Sequence, residues 1–283
     1  MKLKSIVSAV LAAGAMASAN AFVLFPGLTQ LEDDNREYLI KGAGNTSTSL
    51  QVGDRLRGVI KFQAIVQLEA PFASDNNISP EITGVFETEV LSITNVDANP
   101  AVAELIVFGP SASFQMQYGL GATVALYTGG TNLDINACPS IAACETAATD
   151  GPLWAVAGFG DADDIWVSLN SRLNFATVAT TIGTSQVASI NYAQSILVNN
   201  TGYTFNSIDL DCVSGGGLFP CAGDGKTDLI GSGSILGGSG LTNGYGARSD
   251  IDVTFSVVPE PGSLALVGLA LAGIGLSARR RKA

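Results

Sequence analysis

Residues 82–96 read ITGVFETEVLSITNV. Phe86, Thr88 and Val90 point one way and Glu87 and Glu89 the other, which is the two-residue period of a strand. β-Branched and aromatic residues dominate the stretch, and they fit a pleated, half-buried surface. Working outward, 59–68 (VIKFQAIVQL) gives a further strand on the N-terminal side. On the C-terminal side the candidates are 103–108, 123–127, 153–159, 165–169, 175–182 and 251–257 (IDVTFSV). Gly109-Pro110, Gly129-Gly130, Gly151-Pro152 and Asn243-Gly244 punctuate them as turns. Many short strands at this spacing predict an all-β domain over 22–258, a β-sandwich or jelly-roll-like fold.

Two segments read differently. In 184–200, Val187, Ile190, Ala193 and Leu197 recur at helical spacing and Asn199-Asn200-Thr201-Gly202 would end a helix, so one short helix is expected there. Residues 231–246 (GSGSILGGSGLTNGYG) are rich in glycine and serine and read as a long flexible loop.

The chain has no histidine. That excludes Ser-His-Asp and Cys-His catalysis and the usual zinc sites. Its four cysteines fall into two close pairs, Cys138 with Cys144 and Cys212 with Cys221. In an oxidising compartment they read as two local disulfides, although four cysteines allow other pairings. Asp224 and Asp228, with Asp209 and Asp211 nearby, resemble the start of a calcium loop. Counted from Asp224, however, Leu229 and Ile235 stand where an EF-hand needs glycine and glutamate. Asp161, Asp163 and Asp164 form a second acidic turn. Calcium is the only cofactor these residues suggest. No carboxylate pair is marked out for acid–base work, so the domain is expected to be non-catalytic. Trp154 and Trp166 could stack on sugars, but each lies in a strand-like run where core packing is the better expectation.

The N-terminus has the three parts of a secretory signal. Lys2 and Lys4 precede an apolar run over 6–16, and Ala17, Ala19 and Ala21 form two overlapping A-x-A sites. Signal peptidase is expected to cut after Ala21, with Ala19 at the third position before the cut and Phe22 as the new N-terminus. Near the C-terminus, 263–278 (SLALVGLALAGIGLSA) carries no charge and Arg279, Arg280, Arg281 and Lys282 follow at once. A run of this length can span a tilted or thinned bilayer, and the basic cluster would stay cytoplasmic. Pro259-Glu260-Pro261 stands just before it. Two prolines make a stiff, non-helical segment that a protease can read.

A Pro-Glu-Pro motif, a glycine-rich apolar segment and a terminal arginine cluster, in that order, resemble the PEP-CTERM sorting signal. The resemblance covers about the last twenty-five residues, 259–283. It implies a Gram-negative bacterium that makes extracellular polysaccharide. It also implies cleavage near the motif by exosortase, a membrane cysteine peptidase. Members are typically cell-surface or matrix proteins, some tied to biofilm or floc. The expected path is export, transient anchorage in the inner membrane and release to the cell surface or matrix, with extracellular polysaccharide a candidate partner.

Charge fits that destination. Removing both ends takes six basic residues and Glu260 from the 14 basic and 25 acidic residues, leaving 8 and 24. A domain this acidic is repelled by nucleic acid and anionic lipid and stays soluble outside the cell.

Overall fold

The computed structural model describes residues 24–96, 104–170, 174–210 and 223–258. The signal residues, the sorting motif, the basic tail, Asp211, Cys212 and Cys221 lie outside the described residues. The all-β expectation holds, with 53% of the structure in strands and 10% in helix.

The strands are β1 (Gly27–Ile40), β2 (Arg55–Gln67), β3 (Ser74–Asp75), β4 (Ile82–Asn95), β5 (Glu104–Pro110), β6 (Ala122–Thr128), β7 (Leu153–Gly158), β8 (Ile165–Asn170), β9 (Gln186–Asn199), β10 (Thr204–Asn206), β11 (Ile208–Asp209), β12 (Lys226–Thr227), β13 (Leu229–Gly237) and β14 (Ala247–Val258). The helices are α1 (Ala112–Tyr118), α2 (Ile141–Ala148) and α3 (Phe175–Thr180).

The large sheet closes on itself. Hydrogen bonding runs β2-β1-β14-β13-β9-β7-β6-β4, and β4 pairs back onto β2. That ring has eight members, and all its pairings are antiparallel. Two positions in the ring are shared between successive strands. β5 pairs with 88–95 of β4, and β6 continues along 82–86. β7 pairs with 195–199 of β9, and β8 continues along 188–193. The excursion between β5 and β6 is α1; the one between β7 and β8 is the acidic turn at 161–164. Closure leaves the ring with no free edge for another chain to pair with.

About eight strands enclose a space that side chains can fill. Here Phe86, Trp166 and Tyr192 fill much of it, with ring centroids 6.0 Å apart for Phe86–Trp166 and 5.2 Å for Trp166–Tyr192. Trp154 and Trp166 are both buried in this core, as expected. The remaining interior cavity is about 40 Å³. That is room for a water, not for a small-molecule cargo.

Three segments fold differently from what their sequence suggests. Residues 186–199 form β9, not a helix. Its inward residues Ala188, Ile190, Tyr192 and Gln194 are buried at period two. Ala193 is buried on the outer face beside Ile165 and Val167. A strand covered on both faces places apolar residues out of phase, and four of them fell on helical spacing by coincidence. Residues 175–180 form α3, not a strand. The Asn174 side chain accepts from the Ala176 and Thr177 amides, and this cap overrides the β-branched composition. Residues 231–237 belong to β13 rather than a loop. Their glycines are there for space. A Cβ at Gly231 would lie 2.0 Å from the Tyr192 ring, and one at Gly233 would lie 2.1 Å from the Asp250 carbonyl oxygen.

Candidate functional site

Three places on the barrel combine charge, burial and defined geometry. The first is a cap on the outer wall. The segment 129–152, with α2, covers Val59, Val85, Ala125 and Val156, which form a second apolar core with Phe114, Leu133 and Cys144. The Ser140 hydroxyl starts α2 by accepting from the Ala143 amide. The predicted Cys138–Cys144 disulfide is present, with its Cα atoms 5.4 Å apart. Glu145, on α2, accepts from Arg57 Nε at 2.7 Å, Arg57 Nη2 at 2.9 Å and the Tyr38 hydroxyl at 2.9 Å. Arg57 also reaches Glu87 at 2.8 Å. Burial pushes the Glu87 carboxyl up, but hydrogen bonds from Arg57, Ser111, Ser113 and Arg55 outweigh it and hold the group down at about 2. This network clamps the cap to β2 and β4, and each of its charges has a partner.

The second place is acidic. The two aspartate turns, far apart in sequence, meet at Asp163. Its Oδ2 accepts from the Gly225 amide at 2.6 Å and the Lys226 amide at 3.0 Å. A hydrogen bond with Asp163 pushes Asp161 up to about 6, and the same bond lowers Asp163. Asp164 accepts from the Gly160 and Asp161 amides and the Ser195 hydroxyl, while burial raises its carboxyl. The other candidates serve as backbone caps or ladder partners. Asp209 pairs in register with Lys226, Asp224 Oδ1 accepts from the Lys226 amide, and Asp228 Oδ2 accepts from the Ile196 amide at 2.9 Å. Among the described residues no three His, Cys, Asp or Glu side chains converge as a metal site. The sequence showed both acidic turns; it could not show that Asp163 joins them.

The third place is the rim where the chain leaves the barrel. β14 stays hydrogen-bonded to its end: Val257 pairs with Gly27 and Phe205, and Val258 pairs with Thr204. Phe205 and Phe255 pack edge to face beneath it, centroids 5.4 Å apart. Pro259 follows Val258 directly, so no linker separates the folded domain from the Pro-Glu-Pro segment.

Residues 257–282 match the family model of the PEP-CTERM protein-sorting motif. The match begins on the last two residues of β14 and runs through the apolar segment into the basic cluster. No curated protein matches the chain. The C-terminal tail of this chain is a PEP-CTERM protein-sorting motif, and it marks the protein as an exosortase-targeted one, exported across the membrane and sorted to the cell surface.

Proposed function

We propose that this protein is a non-catalytic building element of the cell surface or of the extracellular matrix of a Gram-negative biofilm or floc. The supporting observation is the direct join between a closed barrel and the sorting motif. A filled, edge-free barrel is suited to persist outside the cell, and its tail supplies the address. Removal of the leader by signal peptidase and cleavage near Pro259 by exosortase complete the path.

Fractionation of the native host tests this reading. Pro259→Ala with Pro261→Ala is expected to leave the protein in the inner membrane and empty the surface fraction, with the barrel still folded. An unchanged surface fraction would sink the proposal.

A polysaccharide-binding module is the second reading. An outer groove of about 330 Å³ crosses β13, and Gln30, Asn191, Ser232, Asp252 and Thr254 place polar side chains along it. Retardation of the protein by the host's own polysaccharide, lost in Asp252→Ala, would favour that reading. Calcium binding by the Asp163 turns would show as a higher melting temperature on adding the ion.

A further inference from the structure

We propose that the barrel stands on the membrane through the rim from which its tail leaves, with Leu68 and Phe72 as its contact with the lipid surface. The inference rests on the reading that 263–278 lies in the bilayer. Four residues, Pro259 to Gly262, separate β14 from that run. Even fully extended they reach only about 14 Å. The interfacial layer on each side of the hydrocarbon core is itself about 5–8 Å thick. So short a tether holds the rim of the barrel at the headgroups.

The pairing of Gly27 with Val257 identifies which residues share that rim. Gly27 starts β1, and β2 ends beside it: Gln67 Nε2 donates to the Pro26 carbonyl at 2.9 Å, and the Leu68 amide donates to the Leu28 carbonyl at 2.9 Å. The turn 68–73 therefore lies at or beyond the level of Val257. It is closed by Gln67 N–H to Ala73 C=O and Phe72 N–H to Glu69 C=O, each 2.8 Å. Phe72 is 70% exposed and Leu68 39%.

Phe72 also has a φ of 57°, and among the described residues no other non-glycine residue has a positive φ. A bulky side chain is disfavoured in the left-handed region, because its Cβ crowds the following carbonyl. Such strain gathers where structure serves a purpose. Here it turns an aromatic ring outward beside the membrane tether, and aromatic rings favour the membrane–water interface. Glu69 and Asp75 on the same hairpin keep the contact shallow. Met116 is more exposed, at 84%, but α1 leaves the wall midway along β4, away from this rim.

The test uses the full chain in phosphatidylcholine vesicles with brominated acyl chains. Flotation reports whether the tail is inserted. Phe72→Trp and Met116→Trp each add one indole to a chain whose own Trp154 and Trp166 are buried, and the parent chain supplies the background. The expected result is flotation, with the added indole at position 72 quenched roughly twofold or more above that at position 116. Flotation with equal quenching, or with greater quenching at 116, overturns the standing orientation alone. Failure to float overturns both that orientation and the membrane reading of the tail.

Discussion

Gly233→Ala is expected to destabilise the barrel by at least about 3 kcal/mol, at the top of the range for overpacked sites. Gly233 sits in β13 opposite Ile251 on one side and Ile190 on the other. The added methyl would stand 2.1 Å from the Asp250 carbonyl oxygen and 2.6 Å from the Ile251 Cα. Both are backbone atoms held in the ladder, so relief requires β13 and β14 to separate. Gly246 belongs to the same glycine-rich stretch, has open space around its Cβ position and no positive φ. Gly246→Ala should change stability by no more than about 0.5 kcal/mol. Urea unfolding of residues 22–258 measures both. Equal effects from the two variants would mean that 231–246 is the flexible loop its composition suggests.

The second large effect belongs to Glu37. Its side chain is fully buried, its backbone in register with Gly58 and Ala247. Burial pushes the carboxyl up to about 7, only partly offset by Ser249. In the unfolded chain a glutamate titrates near 4.3. Between about pH 4.3 and 7 the folded state holds a proton that the unfolded state has released, so stability falls as pH rises through that window and is level above it. Burial raises Asp33, which acts in the same direction. Glu87 acts in the opposite direction: held at about 2, it contributes stability above about pH 4.3 that is lost as pH falls toward 2. Stability is therefore expected to peak at about pH 4 to 5. Glu37→Gln replaces the buried acid with its neutral isostere. At pH 8 it should stabilise the barrel by about 3 kcal/mol, and at pH 4 it should be close to neutral. Melting curves at the two pH values check this, and an equal shift at both would contradict the titration of Glu37.

β1 shows why part of this fold was hidden in the sequence. Its 14 residues, GLTQLEDDNREYLI, have the composition of a solvated surface and lack the alternation of a strand. In the barrel they turn Leu31, Asp33, Asn35 and Glu37 inward. Asp33 and Asn35 bond to each other and to β14: Asn35 donates to Asp33 at 2.9 Å and to Ser249 at 3.2 Å, and Asp33 accepts from the Ile251 amide at 2.8 Å. A buried polar row breaks the alternation by which strands are recognised. β4 and β14 were visible because their inward residues, such as Phe86, Val90, Phe255 and Val257, are apolar. Ring closure was not legible either. It rests on β1 meeting β14 and β2 meeting β4, and the first pairing joins residues more than 200 positions apart. The Cys138–Cys144 bridge was legible because a short spacing leaves few geometries. The sorting motif was legible because a protease and a bilayer read it as linear sequence.

Export of the protein is expected to be followed by processing at the barrel's exit. Intact mass of the protein recovered from the host's surface and medium tests it most directly. The expected mass lacks residues 1–21 and everything beyond the Pro259 region, plus any group attached at the new C-terminus. A mass that retains Arg279, Arg280, Arg281 and Lys282 would contradict the claim and leave a barrel anchored by its own tail.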